Sequence, residues 1–114
     1  MRFKSNKYRN IKAVVDGITF DSRKEARTYQ DLKLMLQAGD IRELERQKRF
    51  ELVPAQYVGK KCVERSVVYV ADFYVVRRDG TGEVLDTKGM KTLPVYVIKR
   101  KLLRWFHGLT IKEV

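Results

Sequence analysis

The sequence has few of the residues that cross-link a chain or anchor it in a membrane. It contains one cysteine, Cys62, among 114 residues, which excludes an internal disulfide framework and a cysteine-based zinc site. No apolar run approaches the ~20 residues that span a bilayer, and the N-terminal segment lacks the apolar core of a signal peptide. These absences predict a protein of the reducing cytoplasm with no membrane partner.

Acidic residues are also scarce relative to basic ones. The chain has 25 Lys and Arg against 14 Asp and Glu, a formal net charge of +11. This excess predicts a polyanionic partner, with nucleic acid as the first candidate. Hydrophobic residues still make up 44% of the chain, enough for a core. We therefore expect one domain over residues 13–114 after a flexible basic arm over residues 1–12, unless those residues are only a solvated tail.

The first part of the domain predicts a hairpin followed by a helix. Asp16-Gly17 lies between two short runs of β-branched and aromatic residues, the pattern of a tight β-turn. Ser22 with Glu25 three residues later fits a capping box at the start of a helix. That helix reaches about Ala38 and ends at a glycine.

The second part changes to a strand pattern and then returns to a helix. β-like segments begin at Arg49, cover residues 67–76 and return over residues 83–88. A second helix runs from about Pro94 to Gly108, and a short strand closes the chain. The predicted fold is α/β of the α+β type: a mixed central β-sheet with an α-β-β-β-α-β core flanked by helices, plus an N-terminal β-hairpin.

The first helix carries an acid in its apolar stripe. Tyr29, Leu32 and Leu36 share one side of the helix, and Glu25 falls within it at 100° per residue. A buried carboxylate is costly unless it is paired or binds a metal. Glu25 is therefore a candidate site residue, with a purely capping role as the alternative.

The second helix carries a base in the same kind of stripe. Val95, Ile98, Leu102 and Phe106 form its predicted core side, and Lys99 lies within it. Lys99 either extends past its apolar neighbours to reach water or points towards a site.

Two aspartates fall on neighbouring predicted strands. Asp72 interrupts the apolar strand 67–76, where Asp is disfavoured. If residues 78–80 form a three-residue loop with Gly80 left-handed, Asp72 lies opposite Asp86 with β-carbons about 5 Å apart. A two-residue loop would instead place the two side chains on opposite faces. A structural hydrogen bond is the alternative role for Asp72.

The two carboxylates and a nearby lysine suggest a site that binds a divalent cation. Opposed carboxylates repel each other, and a divalent cation with a preference for oxygen ligands, Mg²⁺ or Mn²⁺, would remove that repulsion. Lys88 follows Asp86 by two residues, so on a strand it would share the same face. Its ammonium group would there contact a water molecule or a phosphate.

This set of residues resembles the PD-(D/E)xK nuclease superfamily. The helix acid is Glu25, the first strand acid is Asp72 in "YVADF", and Asp86-Thr87-Lys88 stands for the (D/E)xK element. The segments "VDGITFDSRKEARTYQDL" and "VLDTKG" look like small phage-encoded endonucleases related to Holliday-junction resolvases. Ala71 replaces the proline of the motif, which carries no ligand atom.

The resemblance implies a metal-dependent, structure-specific endodeoxyribonuclease in the cytoplasm of a bacterial host. Its catalytic residues would be Glu25, Asp72, Asp86 and Lys88. Mg²⁺ or Mn²⁺ would bind Asp72, Asp86 and the carbonyl of Thr87, with Glu25 acting through water or on a second ion. Lys88 would orient or deprotonate the attacking water.

The resemblance also implies contacts to duplex or branched DNA and a possible homodimer that pairs two active sites. Basic residues are the candidates for contacts to the DNA backbone. They are Arg9, Lys12, Lys91, Lys99, Arg100, Lys101 and Arg104.

Two other functions remain open from the sequence. A non-catalytic DNA-binding module on a nuclease-like fold would bind without cleaving. A basic RNA-binding protein would show no metal dependence and gives no reason for an aspartate at position 72.

Overall fold

The computed structural model describes residues 12–89 and 92–114. Of the predicted arm over residues 1–12, only Lys12 lies within this part, so the arm remains a prediction. Within it the chain forms two helices and eight strands. In chain order they are β1 (Ala13–Val15), β2 (Ile18–Phe20), α1 (Arg23–Ala38), β3 (Ile41–Val53), β4 (Gln56–Val58), β5 (Lys61–Glu64), β6 (Val67–Arg77), β7 (Gly82–Asp86), α2 (Pro94–His107) and β8 (Ile111–Glu113).

Both helices begin and end at the predicted signals. The Ser22 side chain accepts a hydrogen bond from the Glu25 backbone N–H at 3.1 Å, and Gly39 ends α1 with a left-handed φ of 82°. Pro94 lies in the first turn of α2, and Gly108 ends it with φ 69°. The predicted boundaries of both helices are confirmed.

The central sheet is mixed and has the strand order β3-β6-β7-β8. The first three strands run antiparallel to their neighbours, whereas β8 lies parallel to β7. A parallel neighbour requires a crossover, and α2 provides it. With α1 before β3 and the β1-β2 hairpin at the start, the predicted fold class is confirmed.

The strand pattern between the helices differs from the prediction in two respects. The strand predicted from Arg49 begins at Ile41, because the charged segment 42–48 pairs along the apolar β6 despite its own weak strand propensity. A further hairpin, β4-β5, forms a separate two-stranded sheet. All seven residues of its strands are exposed, so it lies outside the core.

Two buried clusters lie against α1 and α2, and β6 contributes to both. Phe73 packs with the cluster under α1, whereas Ala71 packs with the cluster under α2. Residues two apart on a regular strand point to the same face of the sheet. Ala71 and Phe73 point to opposite faces, so β6 is irregular between them. Asp72 lies at that point and is fully buried. On the neighbouring β3, Gln47 adopts a left-handed φ of 51° at the same level.

The predicted core side of α2 is wrong. Tyr96 and Leu103 are the buried residues of this helix, while Val95, Ile98 and Phe106 are 65%, 58% and 59% exposed. The helix has apolar residues on two sides, and periodicity alone selected the side that faces outward. An unpartnered apolar face therefore runs along α2.

The two helices are 16 and 14 residues long. In the part of the chain that the structure describes, no helix has the length and apolar character to cross a membrane.

Candidate functional site

The β6-β7 hairpin sets the register of the two aspartates. Arg77 N–H donates to the Thr81 carbonyl at 2.8 Å across a loop of residues 78–80, and Gly80 has φ 93°. The predicted three-residue loop is confirmed. The ladder pairs Phe73 with Leu85, and one further step brings Asp72 opposite Asp86. The alternative with the two side chains on opposite faces is excluded.

Asp72 is held by the segment that follows β7. One carboxylate oxygen accepts from the Thr87 N–H at 2.9 Å and from the Thr87 hydroxyl at 2.7 Å. The other oxygen forms an ion pair with the Lys88 ammonium. Burial by itself would raise the pKa of Asp72, but the hydrogen bonds from Lys88 and Thr87 outweigh it and lower that pKa. Asp72 is therefore a buried, charged carboxylate.

Asp86 behaves differently although it lies alongside Asp72. Its two oxygens accept from the Tyr69 hydroxyl at 2.6 Å and from the Lys88 N–H at 2.9 Å. Burial raises its pKa, and the negative charge of Asp72 adds to this effect. The two hydrogen bonds only partly offset the rise. The fold thus brings two carboxylates together. The Lys88 ammonium group pairs with Asp72, whereas Asp86 accepts hydrogen bonds only from a hydroxyl and a backbone N–H among the bonds described.

Lys88 reaches the predicted place by a different backbone route. The strand β7 ends at Asp86, so the expectation that Lys88 lies on the strand is wrong. The backbone turns because the Asp86 carboxylate accepts from the Lys88 N–H. Burial lowers the pKa of the ammonium group, but the bond to Asp72 and the charges of both aspartates outweigh burial and raise it. Lys88 is therefore charged at neutral pH.

Glu25 joins the site from α1. It is only 4% exposed, and its carboxylate accepts from the Gln47 amide at 3.4 Å. Burial raises its pKa, and the negative charge of Asp72 raises it further. Ser22 caps the helix by accepting from the Glu25 N–H, whereas the Glu25 carboxylate bonds to Gln47 and feels the charges of Asp72 and Lys88. Capping alone does not account for Glu25.

The metal ligand set remains a prediction. Across residues 12–89 and 92–114, no group of three or more His, Cys, Asp or Glu side chains is gathered so that it could hold a metal ion. In the arrangement described, Asp72 is engaged by Thr87 and Lys88. The donors themselves fit Mg²⁺ or Mn²⁺, since carboxylate and carbonyl oxygens are the ligands these ions prefer.

Three residues of the site were missed or misjudged from the sequence. Tyr69 lies three residues before Asp72 and looked like an ordinary strand residue, yet it holds Asp86. Gln47 lies in a segment that was not predicted as a strand. For Thr87 only a role of its carbonyl was predicted, which stays a prediction; the bonds from its N–H and hydroxyl to Asp72 were missed. The one indication in the sequence was that a residue with a hydroxyl group directly follows Asp86.

The predicted DNA-contacting residues fall into three groups. Lys99 lines a cavity together with Asp86 and Lys88, which places it beside the site; its contact with DNA stays a prediction. Four basic residues and no acid lie on α2: Lys99, Arg100, Lys101 and Arg104. Lys12 is exposed and forms an ion pair with Asp21. Arg9 and Lys91 lie outside the described residues.

Comparison with known proteins places the chain in a family. The profile of a family described as "Protein of unknown function (DUF1064)" matches residues 5–111. The chain belongs to the DUF1064 family. No curated protein and no solved structure matches it. The match to DUF1064 includes Glu25, Asp72, Asp86 and Lys88, so the whole candidate site lies within the family's region.

Proposed function

We propose that this DUF1064 protein is a metal-dependent endodeoxyribonuclease that hydrolyses phosphodiester bonds in duplex or branched DNA. The observation that carries the proposal is the pairing of two buried carboxylates, Asp72 and Asp86, beside the ammonium group of Lys88. A third carboxylate, Glu25, approaches from α1. Such a concentration of acids is costly to the fold unless it serves a cation.

The site residues divide the work of hydrolysis between them. Asp72, Asp86 and the Thr87 carbonyl would hold Mg²⁺ or Mn²⁺, with Glu25 beside them; the ion would polarise the phosphate and a bound water. The reaction adds a water oxygen to phosphorus and breaks one P–O ester bond. Lys88 is charged at neutral pH, so it suits orientation of the water and stabilisation of negative charge better than removal of a proton.

The chain's charge supports a nucleic-acid substrate. The net charge of +11 and the four basic residues of α2 would hold the phosphate backbone near the site. A homodimer of two such sites, in a bacterial host cytoplasm, completes the proposal. The exposed apolar face of α2 is the surface that favours pairing.

The decisive experiment is a cleavage panel of four-way junction, flap, duplex and single-stranded DNA with Mg²⁺, Mn²⁺ or EDTA. We expect divalent-dependent cleavage by the wild-type protein. Asp72→Asn, Asp86→Asn and Lys88→Ala should each lower the rate by at least about 100-fold, as for loss of one group that stabilises transition-state charge. Asp31→Asn and Lys112→Ala, at two exposed positions that are not among the site residues, serve as matched controls.

The same panel tests the alternative. Wild-type protein that binds DNA but leaves every substrate intact with each divalent cation would indicate the non-catalytic binding module. Cleavage that survives in all three site variants would indicate a contaminating nuclease and end the proposal.

A further inference from the structure

A cavity of about 350 Å³ opens beside the candidate site, between β6 and the first turns of α2. Three of its lining residues are charged: Asp86, Lys88 and Lys99. The cavity is therefore continuous with the residues proposed to hydrolyse the phosphodiester. Whatever occupies it would be attached to, or lie next to, the reacting phosphate.

The rest of the cavity wall is apolar. Val70 on β6 and Val95 on α2 line opposite sides, and the rings of Tyr69 and Tyr96 close it. These rings stand edge to face with centroids 6.5 Å apart. Their hydroxyl groups are engaged elsewhere, with Asp86 and Glu113 respectively. The rings thus offer the cavity carbon surface rather than hydrogen-bonding groups.

The mixture of charged and apolar lining residues favours the nucleobase, rather than the phosphate, as the occupant of the apolar part. A phosphate would remain with Lys88 and Lys99, because burial of its charge against apolar side chains is costly. A nucleobase has a flat apolar face that suits aromatic and aliphatic walls. The volume lies at the lower end of the ~300–1,000 Å³ typical of ligand pockets, so it suits one base with its sugar rather than a base pair.

We infer that the cavity receives an unpaired nucleobase next to the cleaved phosphate, so that the preferred substrates carry an unpaired nucleotide at the cleavage site. A base in a continuous duplex is stacked and paired, and its entry would require the cost of flipping it out. Branch points, flaps and bulges supply such a base already free. The inference rests on the proposed function and narrows its substrate class.

Binding without cleavage provides the test. Fluorescence anisotropy in Ca²⁺ would compare three labelled DNAs: a continuous duplex, the same duplex with one extra unpaired nucleotide, and that DNA with an abasic site in place of the extra base. We expect about tenfold tighter binding of the DNA with the unpaired base, the scale of stacking one base on aromatic side chains. The abasic DNA should bind like the duplex.

Val95→Trp fills the cavity from its exposed rim. Val95 is 65% exposed, so the change should leave folding intact. It should abolish the tenfold preference and leave duplex binding unchanged. Val14→Trp is the matched control, since Val14 on β1 is 67% exposed and lies away from the cavity. The control should keep the preference.

The outcomes separate the two proposals. Equal affinity for the base-containing and abasic DNAs, or a preference that persists in Val95→Trp, overturns the inference while cleavage in the panel still stands. Absence of cleavage on every DNA overturns the proposed function. Absence of binding to all three DNAs overturns both.

Discussion

Glu25, Asp72 and Asp86 are all buried, but the fold treats their charges differently. Lys88 and Thr87 hold the pKa of Asp72 below its usual range, in spite of burial. Burial and the charge of Asp72 raise the pKa of Glu25 and of Asp86. At neutral pH two of the three carboxylates therefore oppose folding. Residues that lower stability without structural need are typical of functional sites.

Glu25→Gln should stabilise the metal-free protein at neutral pH, by about 1 kcal/mol, because it removes a buried charge that lacks a cation partner among the described residues. The pKa of Glu25 is raised in the folded state, so its charge costs stability above the unfolded value of 4.5. The gain should vanish as the pH falls below that value. Urea denaturation in EDTA between about pH 7 and pH 4 measures it.

Glu25→Gln should also reduce cleavage, which distinguishes a functional acid from a structural one. Asp31→Asn, on the exposed side of α1, is the control and should change neither quantity. Lower stability of Glu25→Gln at neutral pH would contradict the assignment of raised pKa to this residue.

Lys88→Ala should destabilise the metal-free protein by about 1 kcal/mol at neutral pH, because it leaves Asp72 buried without its cation. The lysine side chain is 38% exposed, so water replaces part of the lost interaction. The pKa of Asp72 is lowered by folding, so its favourable contribution exists above the unfolded value of 3.8 and is lost as the pH falls through the folded value.

The loss caused by Lys88→Ala should therefore shrink in acid, and Asp72→Asn should remove most of it. A double-mutant cycle of the two changes, measured by urea denaturation, gives the coupling directly. If Lys88→Ala destabilises the Asp72→Asn protein as much as it destabilises the wild-type protein, the two side chains do not interact. Lys112→Ala is the exposed control.

At the scale of elements, local sequence signals predicted loop lengths and helix ends, which depend mainly on residues close together in the chain. Gly80 favoured a three-residue β6-β7 loop, which was one of two possibilities and which places Asp72 and Asp86 on the same face. Ser22 and Gly39 likewise set the ends of α1. These features depend only on residues close together in the chain, so the sequence predicted that Asp72 and Asp86 could share a face and that Glu25 lies in the first turn of α1.

Features that depend on residues distant in the chain were missed, because local sequence patterns do not show which distant segments will pack together. The charged start of β3 becomes a strand only because β6 pairs with it. Tyr69 is recognisable as a site residue only after the fold places its hydroxyl on Asp86. The core side of α2 was misassigned because tertiary packing chose Tyr96 and Leu103 over a wider apolar stripe.

Gly80→Val should lower the free energy of unfolding by about 1–2 kcal/mol. Gly80 has a left-handed φ of 93°, which a β-branched residue adopts only with strain. The bond from the Arg77 N–H to the Thr81 carbonyl still closes the loop, so Asp72 should stay opposite Asp86 and cleavage should remain within a few-fold of wild type. Urea denaturation measures the loss.

The matched control is Gly80→Asn, because Asn adopts the left-handed region more readily than a β-branched residue does. This variant should lose less stability than Gly80→Val. Wild-type stability of Gly80→Val would show that the loop does not depend on the left-handed conformation of Gly80.

At the scale of the whole molecule, α2 combines two properties that are usually separated. It carries four basic residues, and beyond the rim of the cavity it exposes Ile98, Trp105 and Phe106 to solvent. Apolar groups exposed together on one helix indicate a contact surface. The homodimer of the proposed function would cover this face and bring two cleavage sites together.

Ile98→Glu should convert the proposed dimer into a monomer, because it introduces a charge at the centre of that face. Light scattering after size-exclusion chromatography, at moderate salt to screen the basic residues, gives the mass. Leu34→Glu on α1, where Leu34 is 63% exposed, is the control and should keep the dimer mass. A wild-type protein that is monomeric at every concentration would exclude this arrangement.

The β4-β5 hairpin lies outside both buried clusters, and it carries the chain's single cysteine in an exposed position. Its separation from the core gives the natural sequence a ready attachment point for a maleimide dye. A fluorophore joined to Cys62 would leave the carboxylates, α2 and both cores untouched. Energy transfer from that dye to labelled DNA would then follow the arrival and departure of substrate in real time, with no residue replaced.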